Sequence, residues 1–305
     1  MEYRREMLTR IISGVWYIAL LAVAYCLKIF LPGDSGAFFV DVLVYAFSLI
    51  GTFEMLRALK DRTTKAERYI VYGFAVICIP VGVLMKYFLG WGATAIGVCV
   101  IALTVALLSL LVFQHDETSL ESIGLSFLAA VYPTIFLSML VVANHAQAPA
   151  GLWKFGFDSR LLVLFIFLLV PAVDSFAYLF GKFLRKFFPQ KLAPVLSPNK
   201  TIIGCIGGLI GGMAISVAIY FAYNALAGSY EQMHIWLPVY LLIGFVTSIA
   251  TMFGDLVESC IKRKLHVKDM GDIMPGHGGI LDRLDSTLYA TIAVYAIYSL
   301  IALIV

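Results

Sequence analysis

The run from Lys262 to Asp285, KRKLHVKDMGDIMPGHGGILDRLD, gathers cations, carboxylates and glycines within one short stretch. Gly276, Gly278 and Gly279 flank His277. Glycine reaches backbone conformations closed to other residues and lets successive N–H groups approach an anion. Lys262, Arg263, Lys264 and Lys268 precede the glycines, and Arg283 follows them. A glycine-rich loop among cations suits a phosphate. Taken singly, each cation also reads as an anchor at a membrane surface.

Carboxylates bracket the loop. Upstream, in TMFGDLVESCIKRK, Asp255, Ser259 and Lys262 fall at i, i+4 and i+7, one face of a continuing helix. Downstream, Asp282 and Asp285 are spaced i, i+3 and share a helical face. Their plainer role is to complement the positive end of a helix in its first turn. Two antiparallel helices joined by residues 258–286 would bring Asp255 and Asp282 to one level. Carboxylates gathered there suit Mg²⁺, which takes one or two carboxylates, keeps waters and bridges substrate phosphates.

Two further polar clusters precede these. In VPAVDSFAYLFGK, Asp174 and Ser175 lie inside an apolar run. Asp174 reads equally as a metal or nucleotide contact and as a helix–helix hydrogen bond. In LSPNKTIIG, Ser197 or Thr201 is placed to cap the following helix, and Lys200 stands where a helix N-terminus and an ammonium can hold a phosphate together. Carboxylates, cations, hydroxyls and glycines in this combination point to metal-assisted phosphoryl or nucleotidyl transfer, chemistry that depends on positioning and charge neutralisation.

The elements that must position these groups are membrane helices. Of 305 residues, 61% are hydrophobic and 13% charged, and the mean hydropathy is +0.93. A soluble domain carries about 25% charge. Nine apolar runs approach the ~20 residues that cross a bilayer as helix: 11–31, 37–57, 69–89, 91–113, 124–145, 159–181, 203–226, 236–257 and 287–305. The sequence therefore predicts an all-α polytopic membrane protein. Residues 1–158 supply five spans, and residues 159–305 supply four, with the candidate catalytic groups. The basic N-terminus feeds a first span without a clear cleavage site, so that span reads as retained. The five cysteines form no CxxC pair and lie in or beside apolar runs, where a thiol packs as a small hydrophobe.

Lysine and arginine favour cytoplasmic loops. With the N-terminus cytoplasmic, 18 of the 22 Lys and Arg fall on that face, counting Arg57 at a span edge. The candidate chemistry falls on the same side. The seventh span opens IIGCIGGLIGGMAIS, with Gly204, Gly208 and Gly212 in one four-residue register and Gly207 and Gly211 in another. This pattern predicts close helix packing.

Ser259-Cys-Ile-Lys-Arg263, then Lys268-Asp269-x-Gly271, then Pro275-x-His277-Gly278-Gly279-Ile-x-Asp282-Arg283-Leu-Asp285 resembles the signature of phosphatidate cytidylyltransferases, the CDP-diacylglycerol synthases. DSFAY and SPNKT resemble two weaker motifs of that family, in the expected order. Three positions depart from the pattern. Met274 stands for a usual Ile, Leu or Phe, Ile203 for an expected glutamate, and Phe176 for a common glycine.

The resemblance implies that CTP and phosphatidate give CDP-diacylglycerol and pyrophosphate with Mg²⁺, in the cell (inner) membrane with the site at its cytoplasmic face. It implies Asp255 and Asp282 as metal ligands, with Asp285 in or beside the metal shell. Lys262, Arg263, Lys268 and Arg283 would hold the triphosphate or the lipid phosphate, and His277 would orient a phosphate oxygen or fix the loop. Asp174, Ser175, Ser197, Lys200, Thr201, Ser259, Gly278 and Gly279 would contact substrate. A second cation and a homodimer are compatible with this reading; nucleic acid is not a partner. A CTP-dependent polyprenol or lipid kinase would share the carboxylates and cations without needing the full signature. A cation-coupled transporter would be expected to break helices in both halves, whereas here the intramembrane carboxylates crowd the second half.

Overall fold

The structure, a computed structural model, describes residues 2–31, 35–147, 158–194, 196–227, 233–276 and 278–304. Among these, nine helical segments are long and apolar enough to cross a membrane. They are α1 (Glu2–Phe30), α2 (Ser35–Ala58), α3 (Lys65–Leu89), α4 (Gly92–Phe113), a fifth made of α5 (Leu120–Ala130) and α6 (Phe136–Asn144), α7 (Ser159–Leu184), α8 (Ile202–Ala227), α9 (Met233–Lys264) and α10 (Leu281–Ile304). Large apolar side chains such as Trp16, Phe88, Phe113 and Leu303 stand exposed, as a surface bathed in lipid requires. Nine spans agree with the sequence. Several ends differ, those nearest the candidate site being that α7 continues through Leu184, α9 continues through Lys264 and α10 begins at Leu281. Charged residues at both ends hid helix that extends beyond the apolar run.

The chain divides into two compact units, residues 1–142 with 265–284, and residues 143–264 with 285–305. In the first, Thr64 and Glu67 form a reciprocal capping box at the start of α3, and Gly90 closes that helix in the left-handed conformation, φ 75°. Between α5 and α6 the helix widens to a π turn, Val131–Ile135, around Pro133. Proline lacks the N–H of a regular turn. Thr134 in this turn hydrogen-bonds Ser48 and Thr52 of α2, each at 3.1 Å.

In the second unit α7, α8 and α9 pack together. Asp158 caps α7, its Oδ1 accepting from the N–H groups of Arg160 and Leu161, both at 3.0 Å. Between α7 and α8 a small antiparallel hairpin forms from β1 (Lys191–Ala193) and β2 (Ser197–Thr201), a local sheet the sequence did not suggest. Both glycine registers of α8 serve packing. Gly208 lies against Val173, Gly207 and Gly211 lie under the rings of Phe180 and Phe176, and Gly212 meets Ser248 of α9. Phe176, where the family pattern has glycine, thus finds its room opposite, at Gly211. Gly211→Leu is expected to overpack this contact at about 1–3 kcal/mol. A lowered midpoint of thermal unfolding in detergent would show it; an unchanged midpoint would remove this contact from the account of stability.

Candidate active site

A cavity of about 700 Å³ opens within the second unit. One face of α7, with Arg185 directly past its end, supplies Asp174, Tyr178, Gly181 and Lys182, spaced by helical turns. Ser197, Asn199, Lys200 and Thr201 come from β2, Gly204 and Cys205 from α8, and Met252 and Asp255 from α9. Of the residues chosen from sequence, Asp174, Ser197, Lys200, Thr201 and Asp255 therefore share one cavity. Thr201 rather than Ser197 caps α8: its Oγ1 accepts from Gly204 N at 3.1 Å. Ser197 is paired in the hairpin with Ala193.

The cavity is electrically mixed, with Lys182, Arg185 and Lys200 against Asp174 and Asp255. The Lys200 ammonium forms an ion pair with Asp255, and Ser259 Oγ donates to Asp255 Oδ1 at 3.4 Å, one turn along α9. Lys262 instead pairs with buried Glu258 at 3.2 Å. Glu258 also acts on Asp285, as do the charges of Asp255 and Lys262. Ser175 is exposed and does not line the cavity, and Arg263 is exposed in the last turn of α9.

Lys182, Arg185, Asn199 and Glu258 escaped the sequence reading. Ending the sixth span at 181 put Lys182 and Arg185 in a loop. Continued as helix, their spacing from Asp174 and Tyr178 would have placed them on the same face.

The signature loop belongs to the first unit. Asp282 is 7% exposed, and its Oδ2 accepts from the backbone N–H groups of Met270 and Gly279, both at 2.8 Å. Gly276 and Gly278 adopt φ 77° and 83°, so the chain turns tightly and Met274 N donates to Gly278 O at 2.9 Å. A Cβ at Gly278 would lie 2.8 Å from Asp282 Oδ2. The glycines thus admit a carboxylate of the protein itself. Lys268 and Arg283 are exposed on this segment. His277 lies outside the described residues.

A buried residue outside the motif helps to hold the loop. Glu54, in the apolar run of α2 and 1% exposed, accepts from Ile280 N at 3.0 Å and Leu281 N at 2.8 Å. An acidic group inside a span was the signal that the sequence offered.

Among the described residues no three His, Cys, Asp or Glu side chains form a ready metal cage. Mg²⁺ does not need one, since it binds through one or two carboxylates, waters and substrate phosphates. Hard oxygen donors at a cavity also lined by cations fit it.

An acid-and-cation cavity on helices long and apolar enough to cross a membrane suits an anionic ligand. The chain belongs to the cytidylyltransferase family, which it matches over residues 8–301. It is 30% identical to the phosphatidate cytidylyltransferase of Bacillus subtilis (strain 168) across 97% of this chain and 98% of that protein. It is 45% identical to the phosphatidate cytidylyltransferase of Staphylococcus haemolyticus (strain JCSC1435) over 132 residues. That match covers 43% of this chain and spans 46% of that relative's length. With the phosphatidate cytidylyltransferase of Staphylococcus aureus (strain COL) the identity is 44%, over 42% of this chain and 45% of the relative.

Proposed function

We propose that this protein transfers a cytidylyl group from CTP to phosphatidate, releasing pyrophosphate and leaving CDP-diacylglycerol in the membrane. The observation that carries the reading is the cavity in which Asp174, Asp255, Lys182, Arg185 and Lys200 meet, in a chain of a cytidylyltransferase family. Membrane spans give one substrate access from lipid, and polar helix ends give the other access from water. The predominance of Lys and Arg on one set of loops supports a cytoplasmic N-terminus and a cytoplasmic-face site in the inner membrane.

A phosphatidate oxygen attacks the α-phosphorus of CTP. A new phosphorus–oxygen bond forms, the bond from that phosphorus to the bridging oxygen of the β-phosphate breaks, and pyrophosphate departs with its electron pair. Phosphatidate is ionised near neutral pH, so the attack needs no general base. The difficulty is repulsion between two anions, which Lys182, Arg185 and Lys200 reduce by binding and orienting phosphate oxygens. Asp255 would be a ligand of Mg²⁺ at the cavity, with Asp282 and Asp285 the other candidate ligands and a second cation compatible. The ion, when bound, supplies positive charge where negative charge concentrates on the phosphates. Lys262, Arg263, Lys268 and Arg283 add positive charge at the membrane face, and His277 orients a phosphate oxygen or fixes its loop. Of the other groups expected at substrate, Ser259 acts through Asp255 and Gly278 and Gly279 through Asp282, while Ser175 stands outside the cavity.

The test is purified protein with labelled CTP, phosphatidate and Mg²⁺: a lipid-soluble cytidine product is expected, and its absence would overturn the reading. Lys268→Ala is expected to raise the KM for CTP or phosphatidate about tenfold with kcat little changed, since a hydrogen bond to a charged group contributes about 1.5–3 kcal/mol. Unchanged kinetics would reduce Lys268 to a membrane anchor.

A further inference from the structure

We infer that Glu54 is a positioning residue for cytidylyl transfer, docking the signature loop on α2 without touching substrate. The inference rests on the proposed function and adds to it an acidic group from the first half of the chain.

Two carboxyl groups organise the loop between them. Glu54 takes the N–H groups of Ile280 and Leu281, and Asp282 takes those of Met270 and Gly279. Leu281 opens α10, so Glu54 caps that helix from another one. It satisfies N–H groups that a helix start leaves unpaired, at the positive end of the helix dipole.

The loop is cut to fit this side chain. A Cβ built on Gly271 would lie 2.6 Å from Glu54 Cδ, and one on Gly279 2.5 Å from the same atom. Both approaches are closer than side-chain carbons normally make, so a side chain at either glycine would displace the Glu54 carboxyl from its place. The contact extends along one stripe of α2. One turn before Glu54, a Cβ on Gly51 would meet the Leu281 side chain at 3.4 Å. One turn after it, Arg57 Nη1 pairs with Asp272 at 2.9 Å. The Arg57–Asp272 pair is exposed, and such pairs contribute little. The buried carboxyl at Glu54 is the principal polar tie.

If Glu54 were merely structural, its loss would loosen the first unit as a whole. As a positioning residue, it would loosen residues 270–281 and slow the chemical step. Glu54→Gln keeps the size but sets an amide NH₂ against a backbone N–H. It is expected to lower kcat about 10- to 100-fold, leave the KM for CTP within about threefold, and speed hydrogen exchange of the 279–281 amides at least about tenfold. Exchange in α3 and α4 should not change. Glu54→Asp, which keeps the charge, should recover part of kcat. Gly271→Ala tests the same contact from the loop side, and its effect should largely vanish when Glu54→Ala removes the collision.

Wild-type kcat and exchange in Glu54→Gln would overturn the inference, as would a loss of kcat accompanied by equal loosening of α3 and α4. Should Glu54→Gln fail to fold, Gly271→Ala decides, and silence there overturns it. If wild-type protein makes no lipid-soluble cytidine product, the proposed function fails and the turnover role of Glu54 fails with it. The exchange measurement still shows whether Glu54 holds the loop.

Discussion

Asp255→Asn is expected to cut cytidylyl transfer at least about a thousandfold, near 4 kcal/mol of transition-state stabilisation. Asp255 has two jobs in the geometry: it neutralises Lys200, and it presents oxygens to the cavity. The jobs predict different double variants. If Asp255 serves only Lys200, removing it strands a half-buried ammonium, and Lys200→Met in the same chain should restore turnover. If Asp255 is a cation ligand, Lys200→Met cannot rescue it, because the missing negative charge is still missing. Lys200→Met alone should then raise the KM for CTP while keeping the affinity for Mn²⁺, a spectroscopic substitute for Mg²⁺. Asp255→Asn should lose that affinity. Recovery of transfer in the double variant would reduce Asp255 to a counter-ion.

The physics of the bilayer made the nine spans readable, because a crossing helix must be about 20 residues long and almost uncharged. The same rule obscured the helix ends. Lys262, Arg263 and Lys264 look like loop residues, yet they complete α9. Lys182 and Arg185 likewise look like loop residues, although Lys182 lies in the last turn of α7 and Arg185 directly follows it. Asp174, Lys200 and Asp255 were legible because an ionisable group beside or within an apolar run is expensive and so conspicuous. Glu54 met the same criterion, but its partners are 226 and 227 positions away, and no spacing rule spans that distance. In the sequence the glycines suggest N–H groups freed for a bound anion. Gly279 does offer its N–H to an anion, but the anion is Asp282, and Gly271 leaves room for the approach of Glu54.

Asp282→Asn separates charge from architecture at the other proposed ligand. A single oxygen, Oδ2, accepts both loop N–H groups, and an asparagine carbonyl can do the same with its amide turned toward the former Oδ1 position. The loop should therefore hold, with exchange at Met270 and Gly279 within about threefold of wild type. Transfer should nevertheless fall at least about a thousandfold, because the negative charge is gone. Asp282→Ala should show both losses, since it removes the acceptor as well. Near-normal transfer in Asp282→Asn would make this side chain a loop fastener only.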